Sequence, residues 1–255
     1  MGIYANFAYS IRMDERAKLI KEAGFDCASL WWEQYDEVNE LPLYAQPNAI
    51  RKAGLVLENI HAPFININDI WTNSRYAQDA VNMHKKWIDE CAYFGIPIMV
   101  MHVTLWDLAM APNDFGIENM ELIIEHAEKK QVTVSIENVG PTNHVQMLLD
   151  NIDSPRLGFC YDSSHDWVYT PDCTTEVLVK NIHRLTNMHL SDNDQKEDRH
   201  WLPGQGSVDW TRIRNILQNH GYEGYLSLEV FPHDYEQSPG SFLQDAYASL
   251  QRVKY

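Results

Sequence analysis

The sequence predicts an α/β fold, a single (β/α)8 barrel over residues 1–255. Three observations predict it. Eight short apolar runs rich in β-branched residues recur along the chain, and amphipathic helical stretches separate most of them. From the third run onward, the polar residues collect at the carboxyl ends of the runs. Strands alternating with helices imply parallel pairing through βαβ crossovers, and eight units in about 250 residues is the stoichiometry of this barrel. A doubly wound open sheet is the rival. It would carry a Gly-rich phosphate turn after its first strand, where this chain reads "SIRMDERAK" with no glycine.

The elements follow in order. Strands are expected at 3–9, 27–32, 55–61, 98–103, 132–137, 157–162, 185–191 and 225–230. "DERAKLIKEAG" (14–24) reads as a helix stopped by its glycine. The link from 32 to 53 contains Pro42 and Pro47 and has room for only a short helix. Residues 74–95 and 114–130 are the longest helical patterns. "DWTRIRNILQNHG" (209–221) begins on an Asp cap and stops at Gly221, and 239–253 closes the chain.

Composition narrows the function. The 36 acidic residues outnumber the 20 Lys and Arg, for a net charge of −16. That balance argues against a nucleic-acid partner, whose phosphates call for a basic face. No apolar run approaches the ~20 residues that span a bilayer, and "MGIYANFAYS" lacks the basic start of a signal peptide. Cys27, Cys91, Cys160 and Cys173 have no C-x-x-C spacing, so reduced thiols in a cytoplasmic protein are expected. The pattern leaves a homo-oligomer open.

In a barrel of this class the site is built where strands end. Strand three ends at His61, strand four at His102, strand five at Glu137 and strand six at Asp162, with His165 just beyond. Strand seven carries His189 and strand eight Glu229, and "EDRHWLPGQG" adds Asp198 and His200. Carboxylates and imidazoles converging on one mouth call for a cation between them. Glu137, Asp162, His189 and Glu229 form an oxygen-rich set suited to one Mn²⁺, Mg²⁺ or Co²⁺, and the added histidines shift the preference toward Zn²⁺. Trp106, just past a strand end, is a candidate for stacking on a sugar face, whereas Trp87 reads as helix core. Glu58 reads as a loop or surface residue, and His126, His144, His183 and His220 as structural.

Taken in order, "HAPF" (61–64), "IENVG" (136–140), "DSSH" (162–165), "MHLSD" (188–192), "EDRHWLPGQGSVDW" (197–210) and "LSLEV" (226–230) resemble the xylose-isomerase-like TIM barrels over the whole chain. The resemblance implies a single metal, with Mn²⁺ favoured, on Glu137, Asp162, His189 and Glu229. In its ketose 3-epimerase branch, Glu137 and Glu229 would also be the catalytic acid/base pair. His165 would contact a substrate oxygen, Arg199 is a further match, and His61, His102 and Trp106 complete the candidate substrate contacts. In the endonuclease IV branch, three zinc ions would use His61, His102, Glu137, Asp162, His165, His189, Asp198, His200 and Glu229. The acidic "WWEQYDEVNELP" (31–42) weighs against that DNA-cleaving alternative. The expected function is metal-dependent isomerisation or epimerisation of a sugar or polyol-derived ketone, by glutamate-mediated proton transfer through an enediolate. Dehydration of an inositol-type ketone shares the first step.

Overall fold

The computed structural model describes residues 1–34, 40–105, 110–170, 175–233 and 236–254. Eight parallel strands run in chain order around the sheet: β1 (Gly2–Tyr4), β2 (Cys27–Trp31), β3 (Val56–His61), β4 (Ile98–Met101), β5 (Thr133–Glu137), β6 (Leu157–Asp162), β7 (Leu185–His189) and β8 (Ser227–Leu228). β1 pairs with both β2 and β8. A Leu190–Leu228 bridge joins the β7 and β8 sides, Leu190 N–H donating to Ser227 O at 2.9 Å and Glu229 N–H to Leu190 O at 3.1 Å. The result is a (β/α)8 barrel.

Several strands are shorter than their apolar runs. A parallel ladder lasts only as long as both neighbours offer partners, and β1 finds three residues opposite β2 and two opposite β8. Beyond β1, Asn6 takes over by accepting the Trp31 N–H through Oδ1 at 3.2 Å. The helices are α1 (Met13–Glu22), α2 (Gln46–Lys52), α3 (Arg75–Phe94), α4 (Asp114–Lys130), α5 (Asn143–Asn151), α6 (Ser163–Tyr169), α7 (Glu176–Asn181), α8 (Trp210–Asn219) and α9 (Pro239–Lys254). Ser74, Asn113 and Asp209 cap α3, α4 and α8, each accepting a backbone N–H two or three residues inside the helix. α2 is the short helix expected in the 32–53 link, with Pro47 in its first turn. The short α5, α6 and α7 carry too few turns for periodicity to announce them.

The alternation of each strand divides its side chains between two surroundings. Ile3, Ala28, Leu30, Ile60, Met99, Ile136, Phe159, Met188 and Leu228 join the apolar core packed against the helices. The opposite set fills the bore, and it is polar. Ser135 Oγ donates to Asn187 Oδ1 at 2.7 Å, and Asn187 Nδ2 lies 3.2 Å from Cys160 Sγ. At the narrow end a Cβ on Gly2 would come within 2.5 Å of Cys27 Sγ and 2.6 Å of Ser227 Oγ, so only glycine fits there. Glu58, expected on a loop or the surface, instead lies in β3 and is buried beside Cys27, whose thiol is 3.8 Å from Glu58 Oε2. A carboxylate inside a strand that otherwise reads "LVL…NIH" looks like a break in the pattern, but the inward face of this barrel tolerates polar groups. Cys27, Cys91 and Cys160 are free and buried, and Cys173 falls outside the described residues. No helix among the described residues is long and apolar enough to cross a membrane.

Candidate active site

The carboxyl ends of β3 to β8 open into a cavity of about 560 Å³. His61, His102, Glu137, His165, Asp198, His200 and Glu229 all line it, with Tyr4, Trp31, Phe64 and Phe231 as aromatic wall. One ligand atom from each of Glu137, Asp162, His189 and Glu229 lies within 4.8 Å of the others. Four strands therefore bring four groups, spread from position 137 to 229, to one point.

Backbone anchors hold these groups. Asn138 Nδ2 donates to Asp162 O at 2.9 Å and its Oδ1 accepts the Asp162 N–H at 2.8 Å, pinning the ends of β5 and β6 together. Asp162 Oδ1 caps α6 by accepting the His165 N–H at 2.7 Å, which is why the "DSSH" spacing turns His165 inward. Aromatic rings fix the imidazoles: Trp31 stacks on His61 at 5.2 Å and Phe64 on His102 at 4.3 Å. Asp192, the last residue of "MHLSD", has no role that the sequence alone shows. It is fully buried and gathers the loop that follows, accepting N–H groups from Asn193, Gly204, Val208 and the Trp210 indole at 2.8–3.0 Å. A Cβ on Gly206 would collide with Asn193 O and Asp192 Oδ1, so the glycine is what lets the loop close on its anchor. The loop delivers Asp198 to Ser164 Oγ (2.6 Å), His165 Nε2 (3.2 Å) and His200 Nε2 (3.0 Å).

The donor set fits a cation. His61 Nδ1 bonds Ala62 O at 3.0 Å, so in the neutral ring Nε2 presents a lone pair to Glu137 Oε2 at 3.1 Å. His200 differs: its Nδ1 lies on Glu229 O and its Nε2 on Asp198 Oδ2, and although burial disfavours its charge, Asp198 raises it to about 9. His189 Nδ1 sits 2.8 Å from Glu229 Oε2 and 3.1 Å from Glu137 Oε2, yet among the described residues it makes no directed hydrogen bond; Asp162 Oδ2 and His165 Nδ1 are likewise unbonded. Buried lone pairs facing one another require a proton or a metal between them.

The titration behaviour follows. Burial would raise Glu137, but His189, His102 and His165 hold it well below the usual carboxylate range. Glu229 is opposed in the same way, burial against the His189 charge, and settles at about 2. Asp162 is pushed up to about 7 by burial, which the His165 charge only partly offsets while Glu137, Asp198 and Glu229 add repulsion. Burial disfavours charged His165 and His189, but the surrounding anions carry both well above the ordinary imidazole value. Burial lowers His102 to about 4, leaving it neutral.

Arg199 is one-third exposed, paired with Asp194 at 3.3 Å and Glu197 at 2.6 Å, and is not among the residues lining the cavity; its charge is spent within its own loop. Trp106 falls outside the described residues. Trp87 is buried in α3 as expected. His126 pairs with Asp89, His144 Nε2 bonds Met110 O and His220 Nδ1 bonds Ile216 O, all structural placements. Tyr4 and Phe231 also wall the cavity, and nothing in the sequence marks an aromatic at the end of so short an apolar run as facing inward.

A family model described as xylose isomerase-like TIM barrel matches residues 17–252. The chain is 28% identical over 194 residues to an uncharacterized protein of Sinorhizobium fredii, covering 69% of this chain and 61% of that one. It is 30% identical over 118 residues to an inosose dehydratase of Clostridium perfringens, covering 40% and 38%. It thus spans less than two thirds of the length of these curated relatives. The solved structure of an L-ribulose 3-epimerase superposes with a TM-score of 0.82 over 100% of this chain and 94% of that one, at 16% identity, a likeness of fold.

Proposed function

Because the chain belongs to the xylose isomerase-like TIM barrel family, we propose that it is a divalent-metal-dependent isomerase or epimerase of a sugar or polyol-derived ketone. The observation that carries this reading is the convergence of Glu137, Asp162, His189 and Glu229 within 4.8 Å at the mouth of the barrel. Three carboxylates and one imidazole would hold Mn²⁺, with Co²⁺, Mg²⁺ or Zn²⁺ as alternatives. A cation held there would supply Lewis acidity to a carbonyl and its neighbouring hydroxyl.

The chain's own groups do the rest. Glu137 and Glu229 are held ionised, so either can accept the proton from the carbon between the two oxygens. Epimerisation needs the other glutamate to have taken up a proton from solvent, which it then delivers to the opposite face, inverting the centre; movement of the abstracted proton to the adjacent carbon is isomerisation. His61, His102 and His165 line the cavity and would bond the remaining hydroxyls. Trp31, Phe64 and Phe231 would offer the sugar an apolar wall.

Two other outcomes start from the same residues. Similarity to inosose dehydratase favours loss of hydroxide after the first proton transfer. The His165–Asp198–His200 cluster favours the zinc endonuclease, against which stands the net charge of −16. The test is incubation with Mn²⁺ in D₂O with a panel of ketoses, an inosose and abasic duplex DNA. Deuterium at a carbon position, abolished in both Glu137→Gln and Glu229→Gln, is expected. Full exchange in either folded variant, or cleavage of DNA without exchange, overturns the assignment.

A further inference from the structure

The cavity at the barrel mouth is lined by carboxylates and by no basic side chain. Glu33, Glu137, Asp198 and Glu229 line it. None of the 20 Lys and Arg of the chain does, and all 20 lie within the described residues. The cations around it are already answered. Arg199 is paired with Asp194 at 3.3 Å and Glu197 at 2.6 Å. A neighbouring cavity, which shares Tyr4, Glu33 and Phe231 as wall, carries Arg12 and Arg16. Asp14 stands 3.2 Å from Arg12. Arg16 is buried with Glu40 at 3.7 Å, and its Nη2 donates to Tyr9 O and Ile11 O.

A phosphate can also be held by backbone N–H groups at a loop or a helix start. The loop after β7 brings Asp198 and His200 to the cavity, but its N–H groups are spent. Those of Trp201, Gln205 and Ser207 donate to Asp192 O, Leu202 O and Asn193 O. Those of Leu202, Gly204 and Val208 donate to the side chains of Gln205 and Asp192. Phe231 N–H, after β8, donates to His200 O, and His165 N–H, in the first turn of α6, to Asp162 Oδ1.

Polarity also changes from floor to rim. Glu137 at the floor is 1% exposed, whereas Phe64 and Ile65, after β3, are 36% and 43% exposed. A substrate whose reacting carbon lies at the ligand cluster turns its distal end toward this rim. There it meets apolar side chains and the exposed Glu33 carboxylate, which accepts the Trp31 indole N–H at 3.2 Å. An anionic group would give up its hydration there for no opposite charge.

We infer that the site takes an uncharged ketose and rejects its phosphate ester, with Glu33 and the cation-free rim setting that preference. This rests on the sugar reading above.

The experiment is calorimetric titration of the Mn²⁺-loaded protein with D-erythronohydroxamic acid and with its 4-phosphate. The two oxygens of a hydroxamate imitate an enediolate, so the pair probes the site whatever the natural sugar is. The 4-phosphate should bind at least tenfold more weakly than the neutral compound. Glu33→Gln should narrow that ratio by about threefold, and Ile65→Arg, which places a cation on the exposed rim, by about tenfold. A 4-phosphate bound as tightly as the neutral compound, or a ratio that neither variant narrows, overturns the inference and leaves the ligand cluster standing. Binding of neither compound ends the cluster reading and this inference with it.

Discussion

Glu58 offers a quantitative test of how the bore is organised. Its carboxyl is 6% exposed, and burial pushes it from 4.5 up to about 7; attraction to His189 and the Cys27 hydrogen bond only partly offset that. A group whose folded value is raised binds its proton more tightly in the native state. Its contribution to stability is therefore fully present below pH 4.5 and is lost as the pH rises to about 7. At ~1.4 kcal/mol per unit, the native state above pH 7 carries a penalty of about 3 kcal/mol from this one group. Glu58→Gln is isosteric with the protonated acid and has no charge to bury. The variant should match the wild type at pH 4.5 and be about 3 kcal/mol more stable at pH 8. Equilibrium urea unfolding of the metal-stripped protein, followed by tryptophan fluorescence, measures this. Titrations of groups that do not interact with Glu58 are common to both proteins and cancel in the difference. Parallel stability curves across that range, or a variant weaker at pH 8, would refute the placement of Glu58 as a desolvated carboxyl in the bore.

Gly116→Ala should lower stability by about 2–3 kcal/mol, since its Cβ would sit 2.0 Å from the fully buried Trp71 ring, whereas Gly240→Ala, with nothing within 4 Å, should change it by about 0.5 kcal/mol or less; differential scanning calorimetry of the pair checks the contrast. Asp192→Ala leaves four N–H groups without their acceptor and should cost about 3 kcal/mol, with weaker cation binding because the loop bearing Asp198 and His200 loses its anchor; an unchanged unfolding midpoint would contradict it. Mn²⁺ affinity should rise by about tenfold or more per pH unit between pH 6 and 7, because protons on His189 and on Asp162, raised to about 7, compete with the metal. Competition against a fluorescent chelator reads this directly, and a flat profile would show that these groups are not ligands.

Much of this was legible before any coordinates. Alternating apolar runs and helical periods imply a (β/α)8 barrel because parallel strands buried on both sides need continuous apolar faces and covering helices. Carboxylates and imidazoles ending those runs mark the mouth, since a chain has no reason to place such groups beside "VTVSI" or "LGFCY" unless something there satisfies them. Local chemistry also foretold the Asp209 cap, encoded within a few residues.

Only tertiary structure decided what depends on residues far apart in the chain. Glu58 sits in an apolar-looking strand, and only the closed bore, with Cys27 beside it, shows that it is buried rather than solvated. Arg199 looked available until its own loop brought Asp194 and Glu197 to it. The 4.8 Å meeting of Glu137, Asp162, His189 and Glu229 belongs to the same class. Periodicity reports which face of an element is dry, because that is a property of neighbours along the chain. Which polar atoms then stand opposite one another is set by strand register and barrel closure, and those are fixed by contacts that sequence separation hides.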